Sequence, residues 1–163
     1  MVSTRELLLR LHDQKVDHVI VGEMAAVIHG STVVTEDLDI CAPLTLDNLT
    51  RIVTALAGLN ARHRMTRRRL PLLQDPSVLQ GFKNLYLETD IGQLDILSEI
   101  DGVGDYAAVA SHAITLDVFG LPVHVLDLDT LILAKARIGR SKDRRVVADL
   151  EMVRQRLKQP PAS

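Results

Sequence analysis

Apolar positions recur along this chain in two periods. Leu7, Leu8 and Leu11 share one face of a helix that Ser3 or Thr4 can cap and that runs to about Gln14. Val16 to Val21 is a short unbroken apolar run, the pattern of a buried strand, and Gly22 ends it. Glu23 to His29 is Ala-rich and reads as a short helix stopped by Gly30. Ser31 to Thr35 is a polar, β-branched connection, and Leu38 to Ala42 is a second strand that Pro43 stops. Leu46, Leu49, Ile52, Val53 and Leu56 then mark an amphipathic helix that starts at Thr45 or Asp47 and continues to about Leu59.

Strands dominate the middle of the chain. Arg62 to Met65 can form one, and the stretch from Thr66 to Gly81, with Pro71 and Pro76, reads as a loop with one helical turn. Asn84 to Thr89 alternates, Asp90-Ile91-Gly92 turns, and Gln93 to Leu97 returns antiparallel. A second hairpin, Ile114 to Phe119 and Val123 to Leu126, folds around Gly120. Asp127 or Asp129 caps a helix through Arg137, and Ser141 caps a last one to about Leu157, before Pro160 and Pro161 begin a tail. The order α-β-α-β-α-β-β-β-β-β-α-α is that of an α+β fold, a mixed β-sheet flanked by helices. With no repeat or linker, residues 1–163 form one domain, its core at about 16–126 and its C-terminal helices at about 127–158.

Composition narrows the function. Aromatic residues make up only 2% and Trp is absent, so the core is aliphatic and a surface that stacks several bases is excluded. A net charge of -2 gives no global nucleic-acid signature. The charge is nonetheless uneven, with one basic cluster at Arg62, His63, Arg64, Arg67, Arg68 and Arg69 and another at Arg137, Arg140, Lys142, Arg144 and Arg145. The single cysteine, Cys41, rules out an internal disulfide and reads as a small core residue. With no signal peptide or membrane span in evidence, the expected location is cytoplasmic.

The candidate chemistry lies in Asp37-Leu38-Asp39. In a strand, residues two apart share a face, so these two carboxylates are expected side by side, with Leu38 and Ile40 facing the core. Their repulsion calls for a cation between them, and magnesium suits the oxygen donors. Asp95, within Gly92-Gln93-Leu94-Asp95-Ile96-Leu97, is the candidate third acid. Taken singly, each feature also has an ordinary reading. The Asp pair can be a solvated turn, and His29 a packed or capping residue. Ser31 and Thr35 can make local turn bonds, and Lys135 can be a snorkelling surface residue.

Taken together, Val21-Gly22-Glu23, Thr35, Asp37-Leu38-Asp39-Ile40 and the strand bearing Asp95 resemble the nucleotidyltransferase superfamily related to DNA polymerase β. Lys135, Arg137 and Lys142-Asp143 are similar to features of its small bacterial members, the minimal nucleotidyltransferases and abortive-infection toxins. The resemblance spans roughly residues 16–150. It implies a nucleotidyltransferase-like sheet in which Asp37, Asp39 and Asp95 hold two magnesium ions and carry catalysis. It also implies that Gly22, Glu23, Ser31, Thr35, Lys135 and Lys142 line the site of a nucleoside triphosphate such as ATP. The expected activity is transfer of a nucleoside monophosphate to a hydroxyl on RNA or tRNA, a protein or a small molecule, as in a toxin–antitoxin component, with no membrane involved. Two departures from the family pattern stand out: Glu23, where relatives carry Gly or Ser, and Val33-Val34, where many carry a basic residue. They support the alternative of an inactive subunit of the same fold that binds nucleotide, a protein partner or a second copy of itself.

Overall fold

The structure is a computed structural model and describes residues 2–72 and 74–161. Helix α1 (Val2–Asp13) leads into β1 (Val19–Val21), α2 (Gly22–His29), β2 (Leu38–Cys41) and α3 (Leu46–Ala55). Next come β3 (Arg62–His63), α4 (Pro76–Leu79), β4 (Asn84–Thr89), β5 (Gly92–Leu97), β6 (Glu99–Ile100) and β7 (Gly104–Asp105). The chain closes with α5 (Tyr106–Ser111), β8 (Ala113–Val118), β9 (Leu121–Leu126), α6 (Leu128–Ile138) and α7 (Ser141–Lys158). Among the described residues, seven strands make one mixed sheet in the order β3-β4-β5-β2-β1-β9-β8, while β6 and β7 pair separately. The expected α+β class, a mixed sheet with helices packed on it, is the fold observed.

Alternation builds the sheet. In β2, β4 and β5, Leu38, Ile40, Leu85, Leu87, Leu94 and Ile96 are fully buried. The positions between them, Asp39, Tyr86 and Asp95, point to the opposite face. Strand β2 runs antiparallel to β1 and parallel to β5, so Asp39 stands opposite Val21 on one side and Asp95 on the other. The parallel pairing of β1 with β9 brings the end of the second hairpin beside the end of the first strand. His29 stitches this junction, its Nε2 2.8 Å from the Leu126 carbonyl, which is the packed role open to it in the sequence. Cys41 is a buried core residue.

Several boundaries differ from the sequence expectation, for local reasons. β2 begins at Leu38 as expected but ends at Cys41 rather than Ala42, and Asp37 lies before it, in the loop where its N–H donates to the Thr35 hydroxyl at 3.3 Å. α1 is already helical at Val2, so Thr4 lies within the helix, buried, and does not cap it; the Ser3 side chain lies outside what is described. Ser141 is the first residue of α7 rather than its cap, and Arg140 holds the cap position without a side-chain bond. β3 is only two residues long, and α3 stops at Ala55 rather than near Leu59. The short β6–β7 pair and α5, capped by Asp105 onto the Ala108 N–H at 3.0 Å, carry too few residues to show a period. No described helix is long and apolar enough to cross a membrane.

Strand β1 begins at Val19 rather than at Val16, and Asn48 is the reason. Its buried amide donates to the Asp17 and Pro43 carbonyls, both at 3.0 Å, and accepts from the Asp17 N–H at 2.8 Å. The segment before β1 is thereby tied to the start of α3 and kept out of the sheet ladder. Asn48→Ala leaves three backbone groups without partners. It is expected to lower unfolding free energy by about 2–3 kcal/mol in urea titrations, without changing the secondary structure seen by circular dichroism.

Candidate functional site

The site forms where β2 and β5 lie side by side. Parallel register sets Asp39 directly against Asp95, on the face opposite the aliphatic core. Burial pushes the Asp39 carboxyl up to about 6, reinforced by the charge of Asp95, opposed by Lys135, and raised further by Asp37 and Glu23. Asp95 is also raised, first by burial, against the pull of Arg64. Asp37 is exposed, and its charge bears on both. Asp39 thus has an in-register carboxylate neighbour, but that neighbour is Asp95 rather than the Asp37 suggested by a strand reading of the sequence.

Gly22 closes the other side. It opens α2 with φ +66°, and a Cβ added there would lie 2.3 Å from Asp39 Oδ2. Only glycine permits both this turn and this approach. The N-terminal end of α2, where backbone N–H groups are unsatisfied, therefore lies against the carboxylate.

Cations come from the last two helices. Lys135 on α6 is buried, its Nζ 3.5 Å from Asp143 Oδ1, and Arg140 Nε lies 2.6 Å from Asp143 Oδ2. Asp143 is fully buried; burial alone would raise its pKa, but Arg140 and Lys135 hold it below the usual carboxylate range. A cavity of about 190 Å³ opens among Gly22, Asp39, Leu126, Leu131, Lys135 and Arg140. A cavity of that volume has room for a small group rather than for a whole nucleotide. A larger cavity, about 440 Å³, lies near the start of β1 beside His18 and Tyr106 and contains none of these acids.

The remaining sequence candidates divide. Glu23 Oε1 lies 2.6 Å from Lys142 Nζ, so the two pair with each other. Ser31 donates to Asp149 on α7 at 3.0 Å, and Thr35 accepts from the Asp37 backbone. Lys135 is a buried neighbour of Asp39 rather than a snorkelling surface residue. Arg137 pairs with Asp101 at 3.1 Å. The residue that sequence reasoning missed as a site residue is Arg64: it lay within a run of six basic positions, and nothing local separates it from its neighbours. In the fold it forms an ion pair with Asp95, and its guanidinium carbon lies 5.4 Å from the centre of the Tyr86 ring.

Among the described residues, no group of three or more His, Cys, Asp or Glu side chains is gathered as a ready metal cage. The donor set still suits a hard cation. Two carboxylates stand in register, a third contributes its charge, and buried Asp95 Oδ1 has no hydrogen-bond partner.

No family model and no curated protein sequence matches the chain. Among solved structures it is similar to a crystal structure from Thermotoga maritima described as a "putative nucleotidyltransferase". The TM-score is 0.53 at 19% sequence identity, over 96% of this chain and 91% of the other. At that identity the likeness establishes the fold, which is nucleotidyltransferase-like.

Two outcomes are expected from this geometry. Gly22→Ala should destabilise the protein by about 2–4 kcal/mol in denaturant titrations, because a methyl group at positive φ collides with Asp39. For Asp39, the folded pKa of about 6 lies above the ordinary 3.8. The folded state therefore binds more protons between those values, and the ionised group costs stability that is regained as pH falls through that window. In metal-free buffer at pH 7, Asp39→Asn is expected to be more stable than wild type by about 1–2 kcal/mol. That gap should close as pH falls from about 6 to about 4, as measured by thermal unfolding across pH.

Proposed function

We propose that this protein is a magnesium-dependent nucleotidyltransferase that transfers a nucleoside monophosphate from a triphosphate to a hydroxyl acceptor and releases pyrophosphate. The observation that carries this reading is the in-register Asp39–Asp95 pair beneath the Gly22 turn. Asp37, Asp39 and Asp95 would hold magnesium. When bound, the metal neutralises phosphate charge and orients the triphosphate for in-line displacement.

The chain's own residues supply the rest. Glycine at position 22 lets the triphosphate approach the backbone amides at the start of α2, where anions are favoured. Lys135, buried beside Asp39, contributes positive charge that a phosphate can meet. Asp95 would assist removal of the acceptor's proton as the hydroxyl oxygen bonds to the α-phosphorus and the bond to the β-phosphate bridge breaks, releasing pyrophosphate. Glu23, a departure from the family pattern, is answered by Lys142 and so presents a neutralised pair to the site.

The basic loop favours an RNA acceptor. Arg64 reaches Asp95 from this loop, and Arg62, Arg67 and Arg68 are exposed along it. A polyanion bound there would have its hydroxyls near the acids. Modification of tRNA by a toxin-like enzyme is the cellular role this suggests. One observation favours the second reading, an inactive subunit: Lys142 and Asp95 are both engaged in internal ion pairs.

The test incubates purified protein with each α-labelled triphosphate, magnesium, and total tRNA or cell protein. Label is expected to pass to RNA from one triphosphate, and Asp39→Ala should reduce transfer by at least about 100-fold, as for loss of a catalytic group. If no combination transfers label and magnesium with triphosphate leaves the melting temperature unchanged, the inactive-subunit reading takes its place.

A further inference from the structure

The contacts of Arg64 go beyond those of a surface arginine. Its side chain reaches across the edge of the sheet from just after β3 and pairs with Asp95 Oδ2. Its backbone N–H donates to the Tyr86 carbonyl at 2.9 Å, and its guanidinium lies over the Tyr86 ring. Tyr86 is itself the cross-strand partner of Asp95. The fit is incomplete on both sides of the ion pair. Arg64 Nε and Asp95 Oδ1 are each buried without a hydrogen-bond partner. Leaving two polar atoms orphaned in one contact is costly and argues that this arrangement is not permanent.

Access points the same way. Asp95 Oδ2 is held by the guanidinium, and Oδ1 is sealed from solvent. Neither oxygen can reach a cation while Arg64 stays in place. A unit positive charge at this distance also repels a divalent ion held by the same carboxylate. The backbone at Arg64 is held, by the β3 pairings of Arg62 with Glu88 and His63 with Leu87 and by the His63 N–H to the Leu70 carbonyl at 2.8 Å, so release is a rotation of the Arg64 side chain rather than a movement of the arm.

We propose that Arg64 is an internal counter-ion that closes the acid pair in the resting protein and must leave Asp95 before a divalent cation can bind there. This rests on the nucleotidyltransferase reading for the identity of the cation. The released guanidinium joins Arg67 and Arg68 on the exposed basic loop, so cation entry and creation of a more basic acceptor surface are one event. A polyanion that draws Arg64 outward would favour cation binding, and by linkage the cation would favour the polyanion.

The test measures Mn²⁺ binding to the full chain by electron paramagnetic resonance, without nucleotide, in wild type, Arg64→Gln and Asp39→Asn. Arg64→Gln is expected to bind Mn²⁺ at least about tenfold more tightly than wild type, because a competing charge has been removed. With chelator present it should melt below wild type, since Asp95 has lost its partner, and saturating magnesium should narrow that gap. Equal or weaker Mn²⁺ affinity in Arg64→Gln overturns the proposal, because Arg64 then supports the acids rather than blocking them. If wild type binds Mn²⁺ and Asp39→Asn does not, that failure concerns Arg64 alone. If no variant binds Mn²⁺, the metal-site reading fails with it. Should Arg64→Gln not fold, magnesium titration of ¹⁵N-labelled wild type decides: an Arg64 side-chain signal that moves from protected to solvent-exchanging supports release, and one that stays protected rules it out.

Discussion

Two carboxylates on neighbouring parallel strands repel each other, and here the backbone ladder allows them no escape. Register fixes Asp39 against Asp95, and the same ladder carries the leucines and isoleucines of the core on the opposite face. Moving either acid away would mean slipping a strand and turning that apolar set toward the wrong side. The repulsion is therefore built in, and the surroundings answer it. Lys135 approaches from α6, Arg64 pairs with Asp95 from the sheet edge, and the carboxyl of Asp39 holds its proton to about pH 6. Under the proposed function, a bound cation would relieve a repulsion that folding has already imposed.

The helices make this possible by returning late parts of the chain to early ones. α6 and α7 pack on each other and on α2. Lys142 meets Glu23, Asp149 meets Ser31 and Thr32, and Lys135 comes beside Asp39. Asp143 organises the group: fully buried, it is bound by Arg140 and Lys135 together and keeps the lysine from extending into solvent. A buried anion of this kind is tolerable only because both partners are present. Arg64 approaches from the far side of the acid pair, so cations from two separate parts of the chain flank the two carboxylates.

Much of this was legible from residue order. Alternation in Asn84 to Thr89 and in the return strand placed Asp95 on a hairpin, and the run ending at Gly22 marked the strand-to-helix turn. The α+β class followed from element order. The identity of the facing acids did not. A period of two applied to Asp37 and Asp39 pairs them with each other, yet the strand starts one residue later and the acid that faces Asp39 comes from 56 positions further along. Glu23 looked like an obstacle to a triphosphate only because its partner, Lys142, lies on another helix.

Local pattern determined the elements, the aliphatic core and the list of chemically capable residues, because periodicity and turn propensity act over a few neighbouring positions. Tertiary structure decided which charges meet. Ion pairing depends on distance in space, and strand register and helix packing set those distances across more than a hundred residues of chain. Arg64 shows the division most clearly: one of six basic residues in a run by sequence, it becomes the one that covers Asp95 only when the edge of the sheet folds over the site.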